Sequence, residues 1–251
     1  MTNDPDSMNL QDVRVVMHAH SKWSYDADWP LERIAQVMPR LGAQVVLMSE
    51  HDTGFPTDRF AEYRAACQAA STSRCLLIPG IEYSDPQNDV HLPTWGVDRF
   101  LGESRPTSDL LRDVAAHGGA SIFAHPARRD VWAKYDPDWT GCLAAIEIWN
   151  RKTDGIAPGK EAIDLMRKTG LKPVVGMDFH RRNQLWPLTN RLSVRGEINE
   201  HSITEALRDG RFVPCAFGFP VTDASGNIRQ TIHRKAEALR RAIKPLFRRR
   251  G

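Results

Sequence analysis

"VRVVMHAHSKWSYDADWPLERIAQVMPRLGAQVVLMSEHD", residues 13–52, holds an apolar β-branched run, a helix-like stretch and a second apolar run, and both runs end in histidine. Side chains two apart on a strand share a face, so His18 and His20 stand together at the end of the first run. Pro30 with Leu31 and Glu32 marks a helix start, and Gly42 marks its stop. Strand, helix and strand in this order make a parallel βαβ unit.

The same alternation continues outward. "DRFAEYRAACQAA" (58–70) reads as a helix, "CLLIPGIEYSD" (75–85) and "HLPTWGV" (91–97) as strands, and "SDLLRDVAAHGG" (108–119) as a helix ending at glycine. "ASIFAHP" (120–126) and "AAIEIWN" (144–150) are further strands, followed by the helix "GKEAIDLMRKTG" (159–170) and the strand "KPVVGMDFH" (172–180). Seven strand candidates suit one α/β barrel better than two separate domains. The expected division is a polar segment 1–12, a barrel 13–211, and a loop with a basic amphipathic helix over 212–251. In that last helix Ile232, Ala236, Leu239, Ile243 and Leu246 form a stripe at spacings of three or four.

Composition sets the outer limits. The 251 residues are 41% hydrophobic and 26% charged, ordinary for a globular protein able to bury a core. Cys67, Cys75, Cys142 and Cys215 show no paired spacing, which points to a reducing, cytoplasmic setting. No apolar run approaches the roughly 18 residues of a spanning helix, and "MTNDPDSMNLQD" lacks the character of a secretory signal. Residues 229–251 carry nine Lys or Arg against Glu237, a local +8 in a chain of +3, which leaves −5 on the remainder. A uniformly basic nucleic-acid surface is therefore excluded, and a local basic patch is not.

Nearly every predicted strand ends in a group able to bind a metal. The first gives His18 and His20, the second His51, the third Glu82, the fifth His125, and the seventh Asp178 and His180, while His91 opens the fourth. Asp26 and Asp28 follow the first strand closely. Six of nine histidines sit at strand edges, whereas His117, His201 and His233 fall elsewhere, so the pattern is not one of scattered packing histidines. In parallel barrels functional groups gather at the carboxyl ends, which lets distant segments converge on one mouth. Mixed imidazole and carboxylate ligands suit Mn, Fe or Zn better than Mg or Ca.

In order, "HAH" with "SYDAD", "SEHDT" in place of T-D-H, "GIE", His91 before an apolar strand, "AHP" and "GMDFH" resemble the motifs of the PHP (polymerase and histidinol phosphatase) superfamily of metal-dependent phosphoesterases, over residues 13–195. The resemblance implies a distorted (β/α)7 barrel with three divalent ions per chain. Matched residue by residue, His18, His20, Glu82 and Asp178 would hold the first. His91 and His125, with Glu82 bridging, would hold the second, and Asp26, His51 and His180 the third. Asp28 stays open as the alternative to Asp26, and Glu50 stands where the family has Asp. The implied activity is hydrolysis of a small phosphate monoester or phosphodiester by a hydroxide shared between metals.

Arg128 and Arg129 beyond "AHP", Arg151 after "EIWN", and Arg181 with Arg182 after His180 are candidates to grip the substrate phosphate, because a guanidinium matches it bidentately. Trp95, Trp149 and Trp186 are candidates for the wall of the mouth, and Asp52 for a supporting or helix-capping carboxylate. The partner is then a small phosphorylated molecule, nucleotides included. The alternative is nucleic acid, through a 3'-5' exonuclease or oligonucleotide-trimming activity favoured by the basic tail. A non-catalytic metal-stabilised module whose tail touches a membrane surface ranks below both. A metal-dependent amidohydrolase ranks low, since no lysine stands at a comparable strand end to bridge metals after carboxylation.

Overall fold

The computed structural model describes residues 10–223, 227–229, 231, 234, 235 and 238. The first strand, β1 (Leu10–Ala19), is exposed at its start and buried throughout from Val15, where it enters the interior. Then come α1 (Leu31–Val37), β2 (Val45–Met48), β3 (Glu50–His51), α2 (Phe60–Ala70), β4 (Leu76–Ile78), β5 (Gly80–Ser84) and β6 (His91–Trp95). The second half holds α3 (Thr107–Ala116), β7 (Ala120–Phe123), β8 (Ala145–Asn150), α4 (Lys160–Thr169), β9 (Pro173–Gly176), β10 (Leu188–Arg195), α5 (Glu200–Arg208), β11 (Phe212–Ala216) and β12 (Phe219–Pro220).

The expected seven-stranded barrel takes the form of two six-stranded sheets instead of one closed ladder, in the orders β12-β11-β10-β1-β2-β4 and β3-β5-β6-β7-β8-β9. Trp95 explains one seam. β2 pairs with β4 as far as Leu47 and Ile78, and pairing resumes only at Glu50 and Ile81. Between them the Trp95 indole N–H donates to the Met48 carbonyl (2.6 Å), taking a ladder acceptor. Gly80 makes room for the ring, since a Cβ there would lie 2.2 Å from it. At the other seam, Met177 and Phe179 N–H groups donate to the carbonyls of Met17 (3.0 Å) and His18 (3.1 Å). The Asn190 side chain of β10 bonds both the N–H and the carbonyl of Val175 in β9.

Two apolar clusters follow. An inner one draws Val13, Val15, Val45, Ile78, Trp95, Ile122, Ala145 and Val174 from seven strands and is covered by Ile203, Ala206 and Leu207 of α5. The outer one packs α1 to α4 against the strands' other faces. The metal-binding candidates lie at the end of the inner space away from α5.

Three further differences from the sequence reading have local causes. β6 runs antiparallel to β5 and β7, because the link 85–90 is a turn held by the Asp85 carbonyl and carboxylate and is too short for a crossover helix. β10 and α5 were not anticipated. The stretch from Phe212, expected as loop, pairs instead with β10 as β11 and turns back as β12. The expected segment 1–12 lies outside the described residues up to Asn9, and so does the basic C-terminal helix, save Thr231, Arg234, Lys235 and Ala238. Among the described residues no helix is long and apolar enough to cross a membrane.

Gly80→Ala should therefore force the Trp95 indole away from the Met48 carbonyl. The expected cost is about 1–3 kcal/mol in urea denaturation, the range of an overpacked core. An unchanged midpoint would contradict this account of the seam.

Candidate metal centre

A β-bulge sets the first pair of histidines. The pairing of β1 with β2 slips between Met17 and Ala19, and His18 sits at the slip with φ +65°. Bulges of this kind re-aim side chains beside functional sites. His18 and His20 are both fully buried, with ring centroids 5.2 Å apart.

Glu82 on β5 is the hub. Its carboxylate lies 3.1 Å from His18 Nε2, 3.5 Å from His20 Nε2, 3.1 Å from His51 Nδ1, 2.9 Å from His91 Nδ1 and 3.0 Å from His125 Nε2. His91, out of place at a strand start, arrives here because β6 is antiparallel: its first residue pairs with Ser84 at the end of β5. Asp178 Oδ1 lies 3.8 Å from both His18 and His20 and 3.3 Å from His180 Nδ1. Asp26 completes the group, 3.2 Å from His51 Nε2 and 3.3 Å from His180 Nε2. Asp28 points away to Arg181 at 3.6 Å, and both of those side chains are exposed. All nine candidates in the version with Asp26 are thus brought into one contiguous cluster.

The electrostatics are those of buried, opposed charges. Burial disfavours a charged His18, yet Glu82, Glu147 and Asp178 outweigh it and hold the imidazole well above its usual range. His51 is likewise pushed up to about 10, its burial overcome by the adjacent carboxylates of Asp26 and Glu82. Burial, then His180 and His51, drive His20 the other way. Burial also opposes charge on Glu82, and His18 and His91 overcome it, leaving the carboxyl far below its usual value.

The buried His125 Nδ1 makes no hydrogen bond, and the buried His18 Nε2, His20 Nε2 and Asp26 Oδ1 meet their partners in the cluster only in contacts not aligned as hydrogen bonds. Orphaned polar atoms are costly unless something else fills their lone pairs. Three overlapping sets have ligand atoms within 4.8 Å of one another: His20, His51 and His180; His18, Glu82 and His125; His18, His20 and Asp178. The donor set and its orphaned atoms fit divalent transition metals.

The surrounding residues divide differently from expectation. Glu50 accepts from Ser21 N–H (3.0 Å), Ser21 Oγ (2.7 Å) and Ser24 Oγ (2.6 Å), which fixes the loop leading to Asp26. Asp52 caps no helix; it accepts from Ser84 N–H, Ser84 Oγ and Ser104 N–H. Arg128 and Arg129 donate to the Asn88 carbonyl, at 3.0 Å and 3.3 Å, on the turn before His91. Arg151 lies over the Trp186 ring at 5.2 Å. Trp95 belongs to the seam, while Trp149 and Trp186 line a cavity of ≈ 450 Å³ with Ile156, Phe219 and Arg229.

Three neighbours of the cluster were missed. Lys152 Nζ reaches 3.1 Å from His180 Nε2 and 3.5 Å from Asp178 Oδ1, so a lysine does stand past the end of β8, contrary to the sequence reading. Tyr25, largely exposed, stacks on His51 with centroids 5.2 Å apart. Glu147, fully buried on β8, bonds His18 Nδ1 at 2.8 Å. Its one signal in sequence is an acid inside the apolar run "AAIEIWN".

Asp26→Asn should weaken metal binding at the His51 and His180 side by at least about tenfold, while Asp28→Asn leaves metal content unchanged; equal effects in metal analysis would contradict the placement. Metal ligation needs neutral imidazole, and His51, raised to about 10, carries a proton at neutral pH in the metal-free protein. Loading with Mn or Zn at pH 7 should therefore release protons, and affinity should rise with pH towards 10. Calorimetric heats that do not vary between buffers of different ionisation enthalpy would contradict this.

No protein-family model and no curated protein matches the chain. Among solved structures it is similar to a two-domain protein from Bacteroides vulgatus ATCC 8482 described as containing a predicted PHP-like metal-dependent phosphoesterase, with TM-score 0.62, 19% identity, and 88% of this chain and 71% of that one covered. It is similar to PsfC from Pseudomonas syringae PB-5123, with TM-score 0.61, 15% identity and coverage of 93% and 99%. A third likeness is to endonuclease Q bound to a 27-mer duplex with an abasic lesion, with TM-score 0.56, 13% identity, and coverage of 79% of this chain and 57% of that one. The chain shares its fold with proteins described as PHP-like metal-dependent phosphoesterase and endonuclease.

Proposed function

We propose that this protein is a hydrolase that uses divalent metal ions to cleave a small phosphate monoester or phosphodiester. The observation that carries the reading is the hub at Glu82: five imidazoles within 3.5 Å of one buried carboxylate, three of them with a buried nitrogen that makes no aligned hydrogen bond. His18, His20, Glu82 and Asp178 would hold a first ion, His91 and His125 with Glu82 a second, and Asp26, His51 and His180 a third, with Mn, Zn or Fe suited to the donors. When bound, such ions lower the pKa of a water and stabilise charge on attacking and leaving oxygens.

The chain's own residues supply the rest. Lys152 brings an ammonium to the Asp178 and His180 side, where it can orient a phosphate oxygen and oppose developing negative charge. Arg128 adds a second cation at the rim beside His91. Glu82 already lies between the imidazoles as a shared carboxylate, so a carboxylated lysine of the amidohydrolase kind is not needed.

Protein loaded with Mn or Zn should hydrolyse p-nitrophenyl phosphate or its bis-ester and lose that activity on chelation. Glu82→Gln should lower kcat/KM by more than about a hundredfold, beyond the loss of a supporting residue. No turnover of a broad phosphoester panel under several metals would refute the proposal. A nucleic-acid substrate is the second reading, favoured by the nine basic residues of 229–251. Labelled single-stranded oligonucleotides left intact at enzyme levels that hydrolyse mononucleotides would exclude it.

A further inference from the structure

Glu147 is 0% exposed, and among the described residues no lysine or arginine forms an ion pair with its carboxylate. Three groups share it. His18 Nδ1 lies 2.8 Å from Oε1, His125 N–H donates to Oε2 at 3.0 Å, and Asn150 Nδ2 donates to Oε2 at 2.8 Å. A carboxylate at Nδ1 fixes the imidazole with Nδ1 as donor and turns Nε2 outward. His18 Nε2 is the atom that faces Glu82 and Asp178.

Two backbone features exist to admit this carboxylate. The pairing of β8 with β9 slips between Glu147 and Trp149, a bulge that lets Glu147 face the inner space while Trp149 joins the outer cluster. On β9, Gly176 leaves the volume the carboxylate fills, since a Cβ there would lie 1.9 Å from Oε1. The reach extends further through Asn150, whose Oδ1 accepts from Lys152 N–H (3.0 Å) and Thr153 N–H (2.9 Å).

We propose that Glu147 is the positioning residue of the metal centre: it aims His18 Nε2 and pins the backbone of His125, so that metal affinity depends on it although it is not itself a ligand. The inference rests on reading the mouth as a metal centre. His18 and His125 meet at Glu82 in one candidate ligand set, and both have positive φ, +65° and +30°. One carboxylate thus ties together two strained ligand residues 107 positions apart in sequence.

The test measures metal binding directly, by competition with a chelator and by metal content, on the full chain with Mn and Zn. Glu147→Gln puts an amide NH2 where acceptors are required, and Gly176→Ala displaces the carboxylate without touching any ligand. Either folded variant should bind metal about 10–100-fold more weakly, the range for carboxylates behind metal-bound histidine. Ile203→Ala, which opens the inner core at the α5 end, serves as the stability control. It should lower Tm in chelator and leave the affinity of folded protein unchanged. Wild-type affinity in both site variants, or an equal loss in Ile203→Ala, overturns the proposal, as does a wild-type protein that binds no divalent ion. Weakened binding in a protein that hydrolyses no phosphoester supports the proposal and removes only the functional reading.

Discussion

A carboxylate with 2% of its surface exposed keeps its charge only if positive charge is brought to it, and Glu82 has five imidazoles within 3.5 Å. Desolvating such an ion costs several kcal/mol even after relaxation, so the compensation must be close and well oriented. The imidazoles come from β1 and the residue after it, β3, β6 and the turn after β7. Convergence of those strand ends on one point is therefore a condition for burying Glu82 at all. The same carboxylates hold His18 well above its usual range and push His51 up to about 10, and bound divalent ions would supply positive charge in the same place.

Most of the cluster was legible because its chemistry sits at strand ends, where βα periodicity can be read from apolar runs and glycine stops. His91 looked misplaced for a topological reason. With only 85–90 between β5 and β6, the chain must turn back, and an antiparallel strand begins where its neighbours end. Asp26 could not be separated from Asp28 by spacing; geometry separates them, because one faces two histidines and the other an exposed arginine. β10 escaped notice because the buried position expected to be apolar is Asn190, whose amide is used up in joining β9 to the other sheet.

What stayed hidden depends on contacts between distant segments. Nothing in "HLPTWGV" announces that Trp95 will break a ladder at Met48, and nothing near Gly176 announces a carboxylate from β8. The arginines show the converse. Their positions after strand ends suggested phosphate contacts, yet Arg128 and Arg129 are drawn to the carbonyl of Asn88, and Lys152, two residues past β8, reaches closer to the ligands.

Three of the nine cluster residues, His18, His125 and Asp178, hold positive φ without being glycine, a conformation costing about 1–3 kcal/mol each. Such strain persists only where surrounding bonds over-determine the backbone. The His18 carbonyl accepts from Phe179 N–H (3.1 Å), His125 is bonded at its N–H by Glu147 and at its carbonyl by Arg128 N–H (2.8 Å), and the Asp178 carbonyl lies 3.1 Å from His180 Nδ1. These bonds are made by protein groups alone. The ligand backbones are thus held by the protein's own hydrogen bonds, and the binding energy of an ion need not be consumed in ordering them.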